Sequence, residues 1–156
     1  MVSLKPLNEV EMTGGMCMEN VQIDHIGIAV RNLENATAFY KDILELHQIE
    51  TEILEERKLK IAMIPIDETR IELLEPMEGE EAVSTFLKKR GEGIHHIAFS
   101  VTDLDRILKR VVEKGIRIIG KPSIGAGGKR VVFLHPKDVN GVLVELVEQP
   151  KTVEEG

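Results

Sequence analysis

At 156 residues the chain has room for one ordinary hydrophobic core, or for two small modules sharing one. A formal net charge of -7 and an aromatic share of 3% argue against nucleic acid as a general partner, and no apolar run approaches the length of a membrane helix. The single cysteine, Cys17, excludes an internal disulfide framework and makes a reducing compartment, the cytoplasm, the simplest expected setting.

Residues 1–20 read as a loose extension. Glu9 and Glu11 interrupt any apolar run, so the segment does not resemble a signal peptide, and Met18 could serve as an alternative start. Patterned sequence begins at residue 21 with a strand, in which Ile26, Ile28 and Val30 share one face and His25, Gly27 and Ala29 the other. Asn32 is a capping candidate for a helix carrying Leu33, Ala36, Phe39, Tyr40, Ile43 and Leu44 near helical spacing. Two strands follow, over 58–64 and 69–74, joined by a turn at Pro65 to Glu68. Ala82, Val83, Phe86 and Leu87 predict a short linking helix within 79–91, closed by Gly91.

The second half repeats this order from residue 93. Its first strand presents His96, Ala98 and Ser100 on one face and Ile97, Phe99 and Val101 on the other. Leu104, Ile107, Leu108, Val111 and Val112 then follow helical spacing, between Asp103 and the terminating Gly115. Strands are expected at 116–119, 131–134 and 142–147, separated by turns rich in Gly, Pro and Asp. The residues after 150 form a tail.

The two halves are versions of one another. Asp24-His25-Ile26-Gly27-Ile28 matches His95-His96-Ile97-Ala98-Phe99 at an offset of 71, and Ile71-Glu72-Leu73-Leu74-Glu75 matches Val144-Glu145-Leu146-Val147-Glu148 at an offset of 73. Each copy carries one histidine early and one glutamate late, both on the face whose neighbours are small. A strand histidine or glutamate by itself is ordinarily a satisfied or solvated residue. Recurrence of all four at matched positions is what a shared cavity requires. The expected architecture is α+β: two tandem βαβββ modules, 21–77 and 93–150, whose curled mixed sheets surround a metal cleft with the helices outside, forming one domain over 21–150.

His25, Glu72, His96 and Glu145 make a mixed nitrogen and oxygen donor set, suited to one divalent ion per chain rather than to a thiolate site. Four protein ligands on an octahedral ion leave two positions for substrate oxygens. The ion would then act as a Lewis acid toward an enolate, and a neighbouring carboxylate would carry the proton.

At these residues the chain resembles the vicinal oxygen chelate superfamily, which includes glyoxalases, extradiol dioxygenases and methylmalonyl-CoA epimerases, and within it the epimerases. The resemblance runs through Asp24-His25-Ile26-Gly27-Ile28-Ala29-Val30, Ile71-Glu72-Leu73-Leu74-Glu75-Pro76, Gly93-Ile94-His95-His96-Ile97-Ala98 and the block from Gly127 to Leu146, and covers nearly everything from Val21 to Pro150. It implies interconversion of (R)- and (S)-methylmalonyl-CoA by C2 proton transfer, with a divalent ion, Co2+ favoured and Mn2+, Ni2+ or Zn2+ as alternatives, on His25, Glu72, His96 and Glu145. Glu145 corresponds to the family's base, and a homodimer is implied. The second acid/base is open: Lys60 stands at the apparent counterpart of a family glutamate.

Lys129, Arg130 and Lys137 are candidate contacts to an acyl-CoA substrate, the glycines before them being too weak a pattern for a phosphate loop. His95 is expected to face away from His96, and His47 and His135 to belong to loops. Competing readings are a lactoylglutathione lyase using the same four ligands, and a non-catalytic small-molecule binding module of the same fold. A ring-cleaving dioxygenase fits less well, since its two-histidine, one-carboxylate site needs no fourth ligand.

Overall fold

A computed structural model describes residues 20–150; residues 1–19, with Cys17 and Met18, and the tail 151–156 lie outside the described residues. Eight strands form: β1 (Gln22–Ala29), β2 (Glu50–Leu54), β3 (Leu59–Ile66), β4 (Thr69–Pro76), β5 (Gly93–Val101), β6 (Ile118–Ile124), β7 (Arg130–Leu134) and β8 (Val144–Glu148). Three α-helices accompany them, α1 (Leu33–Ala38), α2 (Ala82–Arg90) and α3 (Leu104–Glu113). None is long and apolar enough to cross a membrane.

Both modules start their helices in the same way. The Asn32 side chain accepts the Asn35 N–H at 2.8 Å, and Asp103 accepts the Arg106 N–H at 3.0 Å, each capping a first turn that has no internal partner. The two helices then diverge. α3 continues for three turns, whereas α1 widens after Ala38 into a π-type turn over Phe39–Ile43, where the Leu44 N–H reaches the Phe39 carbonyl. Leu33, Ala36 and Tyr40 pack on the sheet, but Phe39, Ile43 and Leu44 are exposed, so the expected apolar stripe is only half used. Apolar spacing registers a helix's periodicity and cannot show where its turns widen.

The strand order β2-β3-β4-β1-β5-β8-β7-β6 makes one curled, mixed sheet. β1 runs parallel to β4 and β5 parallel to β8, while β1 and β5 pair antiparallel at the centre and fuse the two modules edge to edge. β2, which the sequence pattern does not announce, closes one edge; its Glu-Thr-Glu-Ile-Leu sequence is nearly all exposed and leaves no alternating signal. The β3–β4 turn is tighter than expected: Pro65 and Ile66 remain in the strand, and Asp67 turns the chain with φ 53°.

The convex face carries the cores beneath α1 and α3. Val101, Leu104, Val111, Val132, Leu134, Val144 and Leu146 form one, and Val30, Ala62, Ile64 and Leu73 the other. Leu104, fully buried at the start of α3, is a sensitive test of this packing. Leu104→Ala is expected to lower unfolding free energy by about 2–5 kcal/mol in urea denaturation, the usual range for emptying such a site. A loss below about 1 kcal/mol would mean that α3 does not anchor its module.

On the concave face α2 covers Ala29, Ile61 and Leu74, burying one end of the sheet through Val83 and Leu87. The remaining concave positions hold His25, Glu72, His96 and Glu145, set among Met63, Ala98, Val131 and Val147.

Candidate functional site

Strand alternation and register together bring the four repeated residues to one place. His25 stands opposite Ala98 across the β1–β5 junction, and His96 stands opposite Gly27. The flanking parallel strands set Glu72 beside Gly27 and Glu145 beside Ala98. Each imidazole therefore lies over a residue too small to displace it. The fit at Gly27 is tight: an added methyl would lie 2.7 Å from His96 Nε2 and nearer still to two other ring atoms.

All four side chains are buried, each 2–3% exposed. His25 Nε2 lies 2.6 Å from Glu72 Oε2, 3.0 Å from His96 Nε2 and 3.2 Å from Glu145 Oε2, and His96 Nε2 lies 2.9 Å from the same Glu145 oxygen. The donor atoms of His25, His96 and Glu145 are all within 4.8 Å of one another; Glu72 joins them through its contact with His25.

The electrostatics follow from the crowding of acids. Burial alone would lower the His25 pKa, but hydrogen bonds to Asp24, Glu145 and Glu72 outweigh it and raise the pKa to about 11. Burial pushes Glu145 up, and hydrogen bonds from His25 and His96 overcome this and hold its carboxyl far below the usual range. The contacts made by Glu72 and Glu145 are with imidazoles, so the proton that His25 holds is the positive charge these two buried carboxylates share, and a metal ion can take its place. Buried anions of this kind call for a cation. Two imidazole nitrogens and a carboxylate oxygen within reach of one another, with Glu72 beside them, are a donor set that a divalent metal ion fits.

Asp24 and His95 lie where simple alternation does not put them. The register skips Asp24 between Ile23 and His25, and skips His95 between its partners across Gly27 and Ile28, so each residue sits on a β-bulge. Asp24 Oδ2 meets His25 Nδ1 at 2.6 Å and accepts a hydrogen bond from Arg70 Nη2 at 2.6 Å, and Lys129 Nζ lies 3.8 Å from its other oxygen. Burial would raise the Asp24 pKa, but His25 and Arg70 lower it.

His95 does not face away from His96, contrary to the sequence expectation. Its Nδ1 lies 2.9 Å from His96 Nδ1, because the bulge turns it back along the strand, and its ring meets Phe86 edge to face. Burial, with the neighbouring His96, lowers the His95 pKa to about 4 and keeps the ring neutral.

Lys60 lies off the site. It pairs in register with Glu75, 3.8 Å away, and its side chain is 46% exposed, whereas the β3 position opposite Glu72 is Met63. The β3 side chains on the Glu72 face are thus Ile61 and Met63, neither of which carries a proton. The three basic candidates separate as well. Lys129 lines the site cavity with Arg57 and Arg70. Arg130 turns to the helix side and is held by Glu148 at 3.0 Å and Asp105 at 2.9 Å. Lys137 is exposed on the turn Pro136–Asp138, which His135 caps, and His47 is exposed in a loop.

The cavity among these groups is small, about 10 Å3. That suffices for one ion or water. Ala126 roofs it, packing across the cleft against the core of the first module, with Gly127 and Gly128 at φ 68° and 73° making the bend. A larger groove of about 600 Å3 borders His95 and His96, with Phe86, Lys89, Arg90 and Val142 among its walls.

Known proteins with this fold and these strands exist. The ethylmalonyl-CoA/methylmalonyl-CoA epimerase of Cereibacter sphaeroides is 40% identical over 80% of this chain and 96% of its own length. The mitochondrial methylmalonyl-CoA epimerase of Homo sapiens is 38% identical over 91% of this chain and 80% of its own. A variant of the Streptomyces coelicolor methylmalonyl-CoA epimerase, in complex with 2-nitronate-propionyl-CoA, superposes with a TM-score of 0.78 at 39% identity, covering 83% of this chain and 95% of that one. The model of the Glyoxalase/Bleomycin resistance protein/Dioxygenase superfamily matches residues 24–133, and with the convergent pair of histidines and the duplicated strands this chain belongs to that superfamily.

Proposed function

We propose that the protein is an isomerase that interconverts the (R) and (S) epimers of methylmalonyl-CoA at C2. The observation that carries this is the convergence of His25, His96 and Glu145, joined by Glu72, in a chain whose relatives across most of its length are named for that reaction. His25, Glu72, His96 and Glu145 would hold one divalent ion, Co2+ first, with Mn2+, Ni2+ or Zn2+ as alternatives. Such an ion supplies Lewis-acid stabilisation of the negative charge that builds on substrate oxygens.

The protein's own groups do the rest. The C2 proton lies between a thioester carbonyl and a carboxylate; Glu145, a buried base beside both imidazoles, serves one face of C2, and a second carrier on the opposite face completes the inversion. Lys129, already directed into the cavity, offers positive charge to the substrate carboxylate; Lys137 and the Lys89–Arg90 rim of the groove offer it to the CoA phosphates. Arg130 is committed to Glu148 and Asp105 and drops out of that role. The cavity itself admits an ion or a water, and the groove beside His95 and His96 offers the room for a larger group. Lys60, which pairs with Glu75 and is turned away from Glu72, is not supported as the second proton carrier.

The unit proposed to act is the whole of 21–150, since each module supplies one histidine and one glutamate. A homodimer in the cytoplasm completes the reading. It is supported by the two open sheet edges, β2 and β6, with Ile53, Ile119 and Ile124 exposed along them.

Exchange of the C2 proton of methylmalonyl-CoA into deuterated water, followed by NMR, tests the activity. With Co2+ supplied, exchange is expected on both faces, and a chelator should abolish it until metal is restored. Absence of exchange in the metal-loaded protein would discard the epimerase. Turnover of the hemithioacetal of glutathione would then support the lyase, and neither activity the binding module.

A further inference from the structure

The duplication that repeats the two histidines also repeats what stands behind them. Asp24 and His95 occupy equivalent positions at the offset of 71, each on its own β-bulge, and each contacts the Nδ1 of the histidine that follows it, at 2.6 Å and 2.9 Å. In a regular strand these side chains would point to the opposite face from His25 and His96. The bulge re-aims them, and sheet irregularities of this kind tend to lie beside functional sites.

Both partners are themselves held. Asp24 is 8% exposed and gripped by Arg70 at 2.6 Å, with Lys129 at 3.8 Å. His95 is packed edge to face on Phe86 of α2, and the Arg90 guanidinium lies 5.7 Å from the centre of that phenyl ring. Neither contact points at the shared centre. Both act on the ring nitrogen that faces away from it.

We propose that Asp24 and His95 are positioning residues: each binds the Nδ1–H of its neighbouring histidine, which orients the ring and leaves the Nε2 lone pair free to face the centre shared by His25, His96, Glu72 and Glu145. The inference rests on the reading of these histidines as metal ligands, and it assigns the two bulge residues a task of their own. A ring whose Nδ1 is tied to a buried acceptor has one tautomer and one orientation available for coordination, and loss of such a partner typically weakens metal binding about 10- to 100-fold. The halves are not equivalent in this respect. A carboxylate oxygen behind His25 is the stronger acceptor and a ring nitrogen behind His96 the weaker one, so the Asp24 contact carries the larger effect.

Binding of Co2+ alone, measured by competition with a chromophoric chelator, separates the possibilities. Wild type, Asp24→Asn, Asp24→Ala, His95→Phe and His25→Ala are compared, each checked for folding by circular dichroism. Asp24→Ala is expected to bind about 100-fold more weakly than wild type and His95→Phe about 10-fold. Asp24→Asn, which keeps an acceptor and its size, is expected in between, and it carries the test if the alanine variant does not fold. The second readout is the hydrogen-bonded Nδ1 proton of His25 in the Zn2+-loaded protein, expected far downfield in wild type and absent in Asp24→Ala. Binding within twofold of wild type in Asp24→Ala and Asp24→Asn, with that proton retained, overturns the inference while leaving the metal site intact. Equal binding by wild type and His25→Ala would instead show that the ion is not held at His25, and the ligand reading itself would fall.

Discussion

Glu145→Gln is expected to reduce C2 proton exchange by about 10²- to 10⁴-fold, the usual contribution of a positioned acid or base. Glu145 is the carboxylate whose oxygen lies within 3.2 Å of one imidazole Nε2 and 2.9 Å of the other, in a site where it is 3% exposed. Glutamine keeps the side chain's volume and one oxygen for the imidazoles, so the β8 strand and its pairing with β5 should persist. What is lost is the ability to accept a proton. Measuring Co2+ affinity on the same preparation separates two roles. Loss of exchange with metal retained identifies a base, and loss of both identifies a ligand. Wild-type exchange in the variant would remove Glu145 from the chemistry.

A single methyl at Gly27 is expected to damage the centre from the opposite direction. Gly27→Ala drives a Cβ into the His96 ring, whose Nε2 would be 2.7 Å away, and that ring has little room to retreat because Phe133 meets it at 5.6 Å and His95 backs it. Overpacking of this kind costs about 1–3 kcal/mol. Directed at displacing His96, that corresponds to Co2+ binding about 5- to 150-fold weaker. Ala98 across the junction shows why the position matters: it carries a methyl under His25 and is fully buried without displacing it. Unchanged Co2+ affinity and melting temperature in Gly27→Ala would mean that His96 is not held where the structure puts it.

The four central residues are legible in the amino-acid sequence because side-chain alternation is a local property of a strand. Once Ile26, Ile28 and Val30 are assigned to the core, His25 and Gly27 have only the other face to occupy, and the second module repeats the statement independently. The same logic locates α3, whose apolar positions Leu104, Ile107, Leu108 and Val111 pack into the core while Val112 is exposed. It fails for β2, an exposed edge strand without a hydrophobic face, and for the second half of α1, where the periodic residues are solvated.

Other differences arise where the answer depends on pairing between strands. Lys60 is an acid/base candidate by its place in the chain, but the β3–β4 register sets Met63, not Lys60, against Glu72. Lys129 and Arg130 are adjacent and form one basic group in the sequence, yet one enters the cavity and the other is held by Glu148 and Asp105. Alternation gives no role to Asp24 and puts His95 on the wrong side, because a bulge inverts the pattern for one residue and leaves no mark in composition.

From sequence alone, then, come the duplicated modules, the faces of their strands and the chemical type of the four central side chains, since periodicity and residue identity are written in each segment separately. Tertiary structure decided that the modules join through β1 and β5 into one sheet, that Asp24 and His95 turn back onto the histidines, and which basic residues reach the cleft. Those outcomes depend on hydrogen-bond register between strands far apart in the chain, and a one-residue shift there reverses the face on which a side chain emerges.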